Sequence, residues 1–447
     1  MTGSLAGTLA FWVLTLAAFA GLFVLGRRGL PLWARVLIGL VGGGVLGLLF
    51  GEAAASAKPI GDAFVQLIRM LIVPLVFTTL TTGVIAMGDP KKLGSLGAKT
   101  LGLYMLTTIV AVVLGLLMAA IFRPGVGLDL ASVQAGAASD VTDRLRDAAA
   151  AERTVVQQLL DIIPANPVAA MVEGDILAII FFSILFGVAI LTAGEAGRPI
   201  GRGMESAAEA ILKLTGFVMA LAPYGVFALM AWVMGTQGLS VLLSLGKLTI
   251  ALYLACALQI ALVYGFLIKG VLRLPFVHFL RGILDAMSTA YSTASSSATL
   301  PVTIANVSKN LGVHRSVAGS VLPLGATINM DGTSIYLGLV AVFAAQMLGI
   351  DLSLGQYVAI AVTATATSVG AAGIPSASLF LAVAVLQTFG VTTEQAVAVI
   401  ALVFPFDRLL DMMRTMTNVT GDAAVACTVG KWEGELDEDV FRSGHAQ

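Results

Sequence analysis

The chain has 447 residues, 58% of them hydrophobic and 11% charged, with a formal net charge of −1 and a mean hydropathy of +0.96. Soluble proteins carry about 25% charged residues, so this composition cannot build a water-facing surface; it excludes a soluble enzyme, a disordered chain and, lacking net positive charge, a nucleic-acid binder. Apolar runs of roughly 18 residues or more, enough to cross roughly 30 Å of hydrocarbon, mark an all-α polytopic membrane protein, whereas a barrel needs short alternating strands.

The first apolar run, Leu9 to Leu25, has no basic residue before it and is followed by Arg27 and Arg28. A signal peptide carries its charge in front, so this is an uncleaved span with its N-terminus outside. Val36 to Phe50 returns after Arg35, and further runs lie at 60–87, 98–122, 174–193, 205–234 and 243–271. Basic residues fall in alternate connections: Lys91, Lys92 and Lys99; Arg198, Arg202 and Lys213; Lys269, Arg273 and Arg281; Lys309 and Arg315. The Met234–Ser240 connection has no charge. This alternation places the basic loops and the C-terminal tail, 431–447, in the cytoplasm of an inner (plasma) membrane protein. Trp12, Trp33, Trp232 and Trp432 sit near span ends, where interfacial anchors belong. Residues 124–153 mix acidic and basic residues with many alanines and read as a solvated outer loop.

From about residue 275 the apolar segments are interrupted. The first interruption is Ser292-Thr-Ala-Ser295-Ser296-Ser297-Ala-Thr299-Leu-Pro301 and the second Thr367-Ser368-Val-Gly370-Ala-Ala-Gly373-Ile-Pro375-Ser376. Irregular backbone at membrane depth is tolerated only where protein buries it or it lines a cavity. One interruption fits a kinked helix; two, each followed by a polar-bearing span, fit re-entrant hairpins at 275–308 and 355–390. The spans that follow, 315–347 and 394–428, carry Gly325-Ala-Thr327-Ile-Asn329-Met330-Asp331-Gly332-Thr333 and Asp407-Arg408-Leu-Leu-Asp411-Met412-Met413-Arg414-Thr415-Met-Thr-Asn418-Val-Thr-Gly421-Asp422. Interrupted segments at matching places in two repeats point to a transporter binding site.

Asp407, Asp411, Arg414/Thr415, Asn418 and Asp422 recur at steps of three or four, so one helix face carries them. A charge at a helix centre costs roughly 2.5–3.5 kcal/mol on insertion scales, which turns this face toward protein, water, ions or cargo. A self-satisfied salt-bridge network is the alternative, strongest for Asp407 and Arg408 near the span end. Arg414 offers a fork of donors to a carboxylate, Asp411 can receive an ammonium group, and hairpin tips at Ser295 and Ser296 offer hydroxyls and N–H groups to a second carboxylate. The set suits a zwitterion with an acidic side chain. Asp331, Asp422 and Asn329 are hard oxygen ligands suited to Na⁺. Cys256 and Cys427 read as core residues, and His278, His314 and His445 are scattered without zinc-protease spacing. No histidine lies in the polar core and no Gly-x-Gly-Asp is present, which argues against an intramembrane hydrolase. The Arg–Asp pairing argues against an anion pore, which needs a like-charged ring.

At these motifs, from about residue 34 to 430, the chain resembles the dicarboxylate/amino acid:cation symporters, which include prokaryotic glutamate and aspartate transporters and the mammalian excitatory amino-acid transporters. The resemblance implies no enzyme and no cofactor, but a homotrimer of eight transmembrane spans and two re-entrant hairpins, working as an elevator in the bilayer. It implies scaffold spans within 31–271, with 98–122 packing on a transport-domain core at 275–430; segment 1–30 is an added span. It assigns the cargo to Arg414, Asp411, Asn418, Thr415, Thr333, Ser295, Ser296, Gly373 and Ile374. It groups Asp422, Gly325, Asn329 and Asn418 as one Na⁺ site and Asp331, Asn329, Tyr104, Thr107 and Thr108 as a second. A third would use Thr327, Met330, Ser368, Val369 and Ala371. Ala294 and Met412 stand where archaeal and mammalian relatives, respectively, place an arginine. The implied activity is Na⁺-coupled uptake of aspartate or glutamate; proton coupling, and cystine or C4-dicarboxylates as cargo, are the alternatives.

Overall fold

The computed structural model describes residues 5–86, 90–128, 163–173, 175–237, 239–368 and 377–443. The outer loop expected at 124–153 lies outside them from residue 129 on, as does the tip of the second hairpin, with Val369, Ala371, Gly373 and Ile374. The protein is nearly all helical, and among the described residues the only bridge between extended segments joins Val313 to Leu436.

Among the described residues, five helical stretches are long and apolar enough to cross a membrane: Leu5–Arg27, Ala34–Ile85, Leu96–Phe122, Val241–Val271 and Arg315–Leu348. Helix α1 (Leu5–Arg27) exposes Leu5, Leu9, Val13 and Leu16 and docks through Phe11 and Phe19, the latter edge-on to Tyr224 and Phe227. Helix α2 (Leu32–Phe50) and a 3₁₀ segment lead to α3 (Lys58–Ala86), and α4 (Pro90–Phe122) follows. Short α5 (Pro167–Glu173) precedes α6 (Ile176–Thr192), whose N-terminus is capped by Asp175. The run expected at 205–234 is two helices, α7 (Arg198–Ala220) and α8 (Ala222–Gln237), bent by 50°. The bend falls at Leu221–Ala222, ahead of Pro223, whose ring disfavours a continuous helix there.

Helices α2 and α8 pack most intimately. Gly39, Gly43 and Gly47 recur at every fourth position of α2, and a methyl at any of them would collide with the carbonyls of Pro223, Phe227 or Ala231. Small residues at this spacing let helix backbones touch in a bilayer, where apolar burial gives no drive to associate. Helices α3, α6 and α7 join this group.

A second group surrounds the long final helix. Helix α9 (Leu239–Leu258) continues in π geometry over Gln259–Tyr264 and Phe266–Val271 and packs on α4. The first hairpin is α10 (Phe276–Gly282), α11 (Leu284–Thr293) and α12 (Ser296–Lys309). Its tip turns at Ala294, held at φ 52°, and Ser295 caps α12 through Ala298 N at 3.2 Å. The span expected at 315–347 is broken: α13 (Arg315–Ile328) and α14 (Asp331–Leu348) are separated by Asn329 and Met330, which leave helical geometry. The second hairpin has arms α15 (Leu354–Ser368) and α16 (Ala377–Gln387). Helix α17 (Thr393–Trp432) starts from a capping box of Thr392 and Gln395 and runs unbroken past Pro405. It packs on α11, α13 and α14, while α4 lies along α14. The short tail helix α18 (Glu438–Ser443) buries Phe441.

Candidate functional site

The break at Asn329–Met330 gathers the polar side chains. Unwinding frees backbone groups that must find partners, and α17 supplies one: Asn418 Oδ1 accepts from Gly332 N at 2.7 Å, while its Nδ2 approaches Met330 Sδ at 3.2 Å. Gly332 lies so close to the Arg414 backbone that no β-carbon fits.

Asp331, the first residue of α14, is fully buried. Its Oδ1 accepts from Thr108 Oγ1 at 2.8 Å and Thr107 Oγ1 at 3.4 Å; its Oδ2 accepts from Tyr264 Oη at 2.7 Å and Gln259 Nε2 at 3.0 Å. Asp422 Oδ1 accepts from Asn329 Nδ2 at 3.0 Å, and the Asn329 Oδ1 accepts from Thr107 Oγ1 at 3.2 Å. A β-carbon at Gly325 would come within 2.5 Å of both Asp422 Oδ1 and Tyr104 Oη. The Tyr104 hydroxyl donates to Val321 O at 3.0 Å beside Asp422, and the phenol hydrogen-bonded to Asp331 is that of Tyr264.

Arg414 is fully buried on α17. Its Nη2 lies 2.9 Å from Asp407 Oδ1 and 2.9 Å from Asp411 Oδ1, and its guanidinium carbon sits 4.1 Å from the Tyr336 ring centre. Nε and Nη1 are buried with no hydrogen-bond partner among the described residues. The salt-bridge network set against a binding face is thus present but incomplete. Each buried donor without an acceptor costs about 1–3 kcal/mol, so these two N–H groups make the guanidinium a site where an acceptor would be stabilising. Thr333 and Thr415 are buried on the helices that carry this cluster.

At the first hairpin, Arg408 Nη2 donates to the carbonyls of Ser292 and Thr293, both at 3.3 Å. These carbonyls end α11, where a cation is favoured. Ser295 and Ser296 follow at this tip and are both buried. Thr327 Oγ1 is turned to Leu324 O at 3.1 Å, and the buried Ser368 ends α15 at the edge of the described residues.

Tyr336, Gln259 and Tyr264 carry no role in the sequence reading, which keeps a salt-bridge network as the lesser alternative for Asp407 and Arg408. Gln259 carried a legible signal, being the one amide in the apolar run 243–271. Tyr336 had none, since a tyrosine in an apolar helix more often packs than binds.

The family model for the sodium:dicarboxylate symporter family matches residues 32–432. The chain is 35% identical over 423 residues to a proton/sodium-glutamate symport protein of Geobacillus stearothermophilus, covering 94% of this chain and 99% of the relative. It is 37% identical over 416 residues to a proton/glutamate-aspartate symporter of Bacillus subtilis (92% and 97%), and 36% identical over 410 residues to a C4-dicarboxylate transport protein of Laribacter hongkongensis (91% of each). An all-helical, apolar chain with charged residues gathered around one broken helix, matched over nine-tenths of its length, belongs to the sodium:dicarboxylate symporter family, which consists of transporters and not enzymes.

Proposed function

We propose that this protein is a secondary active symporter that takes up aspartate or glutamate with Na⁺. The observation that carries the reading is the fully buried Arg414 guanidinium, whose Nε and Nη1 lack acceptors among the described residues while Asp411 lies 2.9 Å from Nη2. A cargo carboxylate satisfies the unpaired donors and stays bound to a group that never loses its charge. The cargo ammonium then takes Asp411, and Asn418 with the tip at Ser295 and Ser296 receives the main-chain carboxylate. Thr333 and Thr415 line the site, and the second hairpin tip, with Gly373 and Ile374, closes it. C4-dicarboxylates have no amine for Asp411, which is why acidic amino acids are preferred here.

The coupling ion is Na⁺, held by two oxygen clusters, one at Asp331 with Asn329, Thr107 and Thr108, the other at Asp422 with Gly325, Asn329 and Asn418. Hard, anionic oxygen sets suit this ion. In transport, α2, α3 and α6–α8 form a trimeric scaffold in the plasma membrane. The helices around α17, with α4, move against it as an elevator. The C-terminus is cytoplasmic, and the N-terminus outside.

Two experiments test this. Arg414→Ala, with normal expression and folding, is expected to lose acidic amino-acid uptake; unchanged aspartate uptake would refute the assignment. In proteoliposomes, aspartate uptake is expected to follow an imposed Na⁺ gradient and to be competed by glutamate more than by succinate or cystine. Uptake that follows only a proton gradient transfers the coupling role to H⁺.

A further inference from the structure

The segment that brings Gln259 and Tyr264 to Asp331 is π-helical over Gln259–Tyr264. With i→i+5 bonding, residues five apart lie nearly over one another, whereas in an α-helix they diverge; single π turns occur frequently at functional sites. Both side chains reach the same carboxylate oxygen, Asp331 Oδ2, at 3.0 and 2.7 Å. The Gln259 amide is held twice, since Nε2 also donates to Thr107 O at 3.1 Å. Turned over, the amide would set its oxygen against two acceptors, so the orientation is fixed by its partners. That leaves Oε1 of a fully buried residue without a donor among the described residues. A buried amide oxygen usually has a partner, and this one is attached to the carboxylate cluster assigned above to a cation.

We propose that Gln259 is a ligand for the coupling cation at the Asp331 cluster, its Oε1 completing an oxygen set that Tyr264 and the π turn hold in place. An amide oxygen is a hard, neutral ligand suited to an alkali cation. Gln259 thereby sets ion affinity and selectivity, while cargo binding is left to Arg414. The proposal rests on the Na⁺ reading above.

The test compares the wild type with Gln259→Met and Gln259→Asn, using sodium- and lithium-dependent thermal stabilisation of purified protein together with aspartate uptake in proteoliposomes. Gln259→Met, similar in length but without the oxygen, is expected to raise the half-saturating Na⁺ concentration by about tenfold, equivalent to one ligand contact, and to alter the Na⁺/Li⁺ ratio. The aspartate KM at saturating Na⁺ should hold. Gln259→Asn, which keeps the amide but draws its oxygen back by one methylene, is expected to raise the Na⁺ requirement as well. Wild-type Na⁺ affinity and ion ratio in Gln259→Met would overturn the assignment. If Gln259→Met fails to fold, Gln259→Asn decides, a wild-type Na⁺ requirement and ion ratio in it marking a packing role instead. A wild type whose stability and uptake both ignore Na⁺ overturns the underlying reading, a failure visible before any variant is made.

Discussion

The central carbon of the Arg414 guanidinium lies over the Tyr336 ring, 4.1 Å from its centre. Both side chains are fully buried, and the ring covers one face of the cation while Asp407 and Asp411 take Nη2. Desolvated cation–π contacts contribute about 2 kcal/mol. Tyr336→Leu is therefore expected to raise the aspartate KM by about 10- to 30-fold, and Tyr336→Phe, which keeps the ring, to stay within about threefold. Transport kinetics of the two variants check this.

In the proposed site Asp411 is the residue that separates two kinds of cargo, since a carboxylate there pairs with an amine and repels a molecule with carboxylates alone. Asp411→Ser is expected to weaken competition by aspartate at least about tenfold, one charge-assisted contact, and to leave or improve competition by succinate. Equal losses for both would remove the ammonium role.

Arg408 ties α17 to the first hairpin through two long hydrogen bonds of 3.3 Å. Bonds from a charged donor contribute about 1.5–3 kcal/mol at best geometry, and these fall short of that. Arg408→Ala is expected to loosen the tip without unfolding the protein. A cysteine placed at Ser295 should then react with a thiol reagent several times faster, the native Cys256 and Cys427 being buried. An unchanged rate would show that the tip is held by its own turn at Ala294.

The close seam between α2 and α8 tolerates no added atoms. Gly43→Val drives a branched side chain into the carbonyl of Phe227. Overpacking costs about 1–3 kcal/mol where neighbours can shift, and backbone cannot. The expected result is a lower melting temperature and less folded protein, measured by fluorescence-detected size exclusion, with Gly203→Val, which meets nothing nearby, as the control.

At the tail, Lys431 and then Arg442 hold the Glu438 carboxyl below the ordinary glutamate range. A group depressed in the folded state stabilises above its unfolded pKa and loses that contribution as pH falls through the folded value. Because the group is exposed, the effect is small. Glu438→Gln should flatten the acid limb of the melting curve slightly, leaving neutral pH stability nearly unchanged.

Much of this arrangement was legible because charges in an apolar helix have few places to go. The spacing of Asp407, Asp411, Arg414, Asn418 and Asp422 fixed a helix face, and α17 carries them as one unbroken helix with that face buried. The serine run gave the first hairpin tip. The break at Asn329–Met330 was hidden because its residues look like helix with polar decoration; its cause is long-range, since the Gly332 amide finds its partner on Asn418. Gln259 and Tyr264 were missed because α periodicity puts residues five apart on different faces, and only the π turn aligns them. Tyr104 shows why partners are harder to read than faces: spacing places the ring toward the core, and only the structure shows its hydroxyl meeting Val321 O.

Asn329 has one further consequence. Its amide donates to Asp422 while its oxygen lies 3.2 Å from Thr107 Oγ1, which is itself 3.4 Å from Asp331 Oδ1, so one planar group touches Asp422 directly and Asp331 through a single hydroxyl. Turning that plane breaks both links together, which ties the two carboxylates to each other across the gap between α13 and α14.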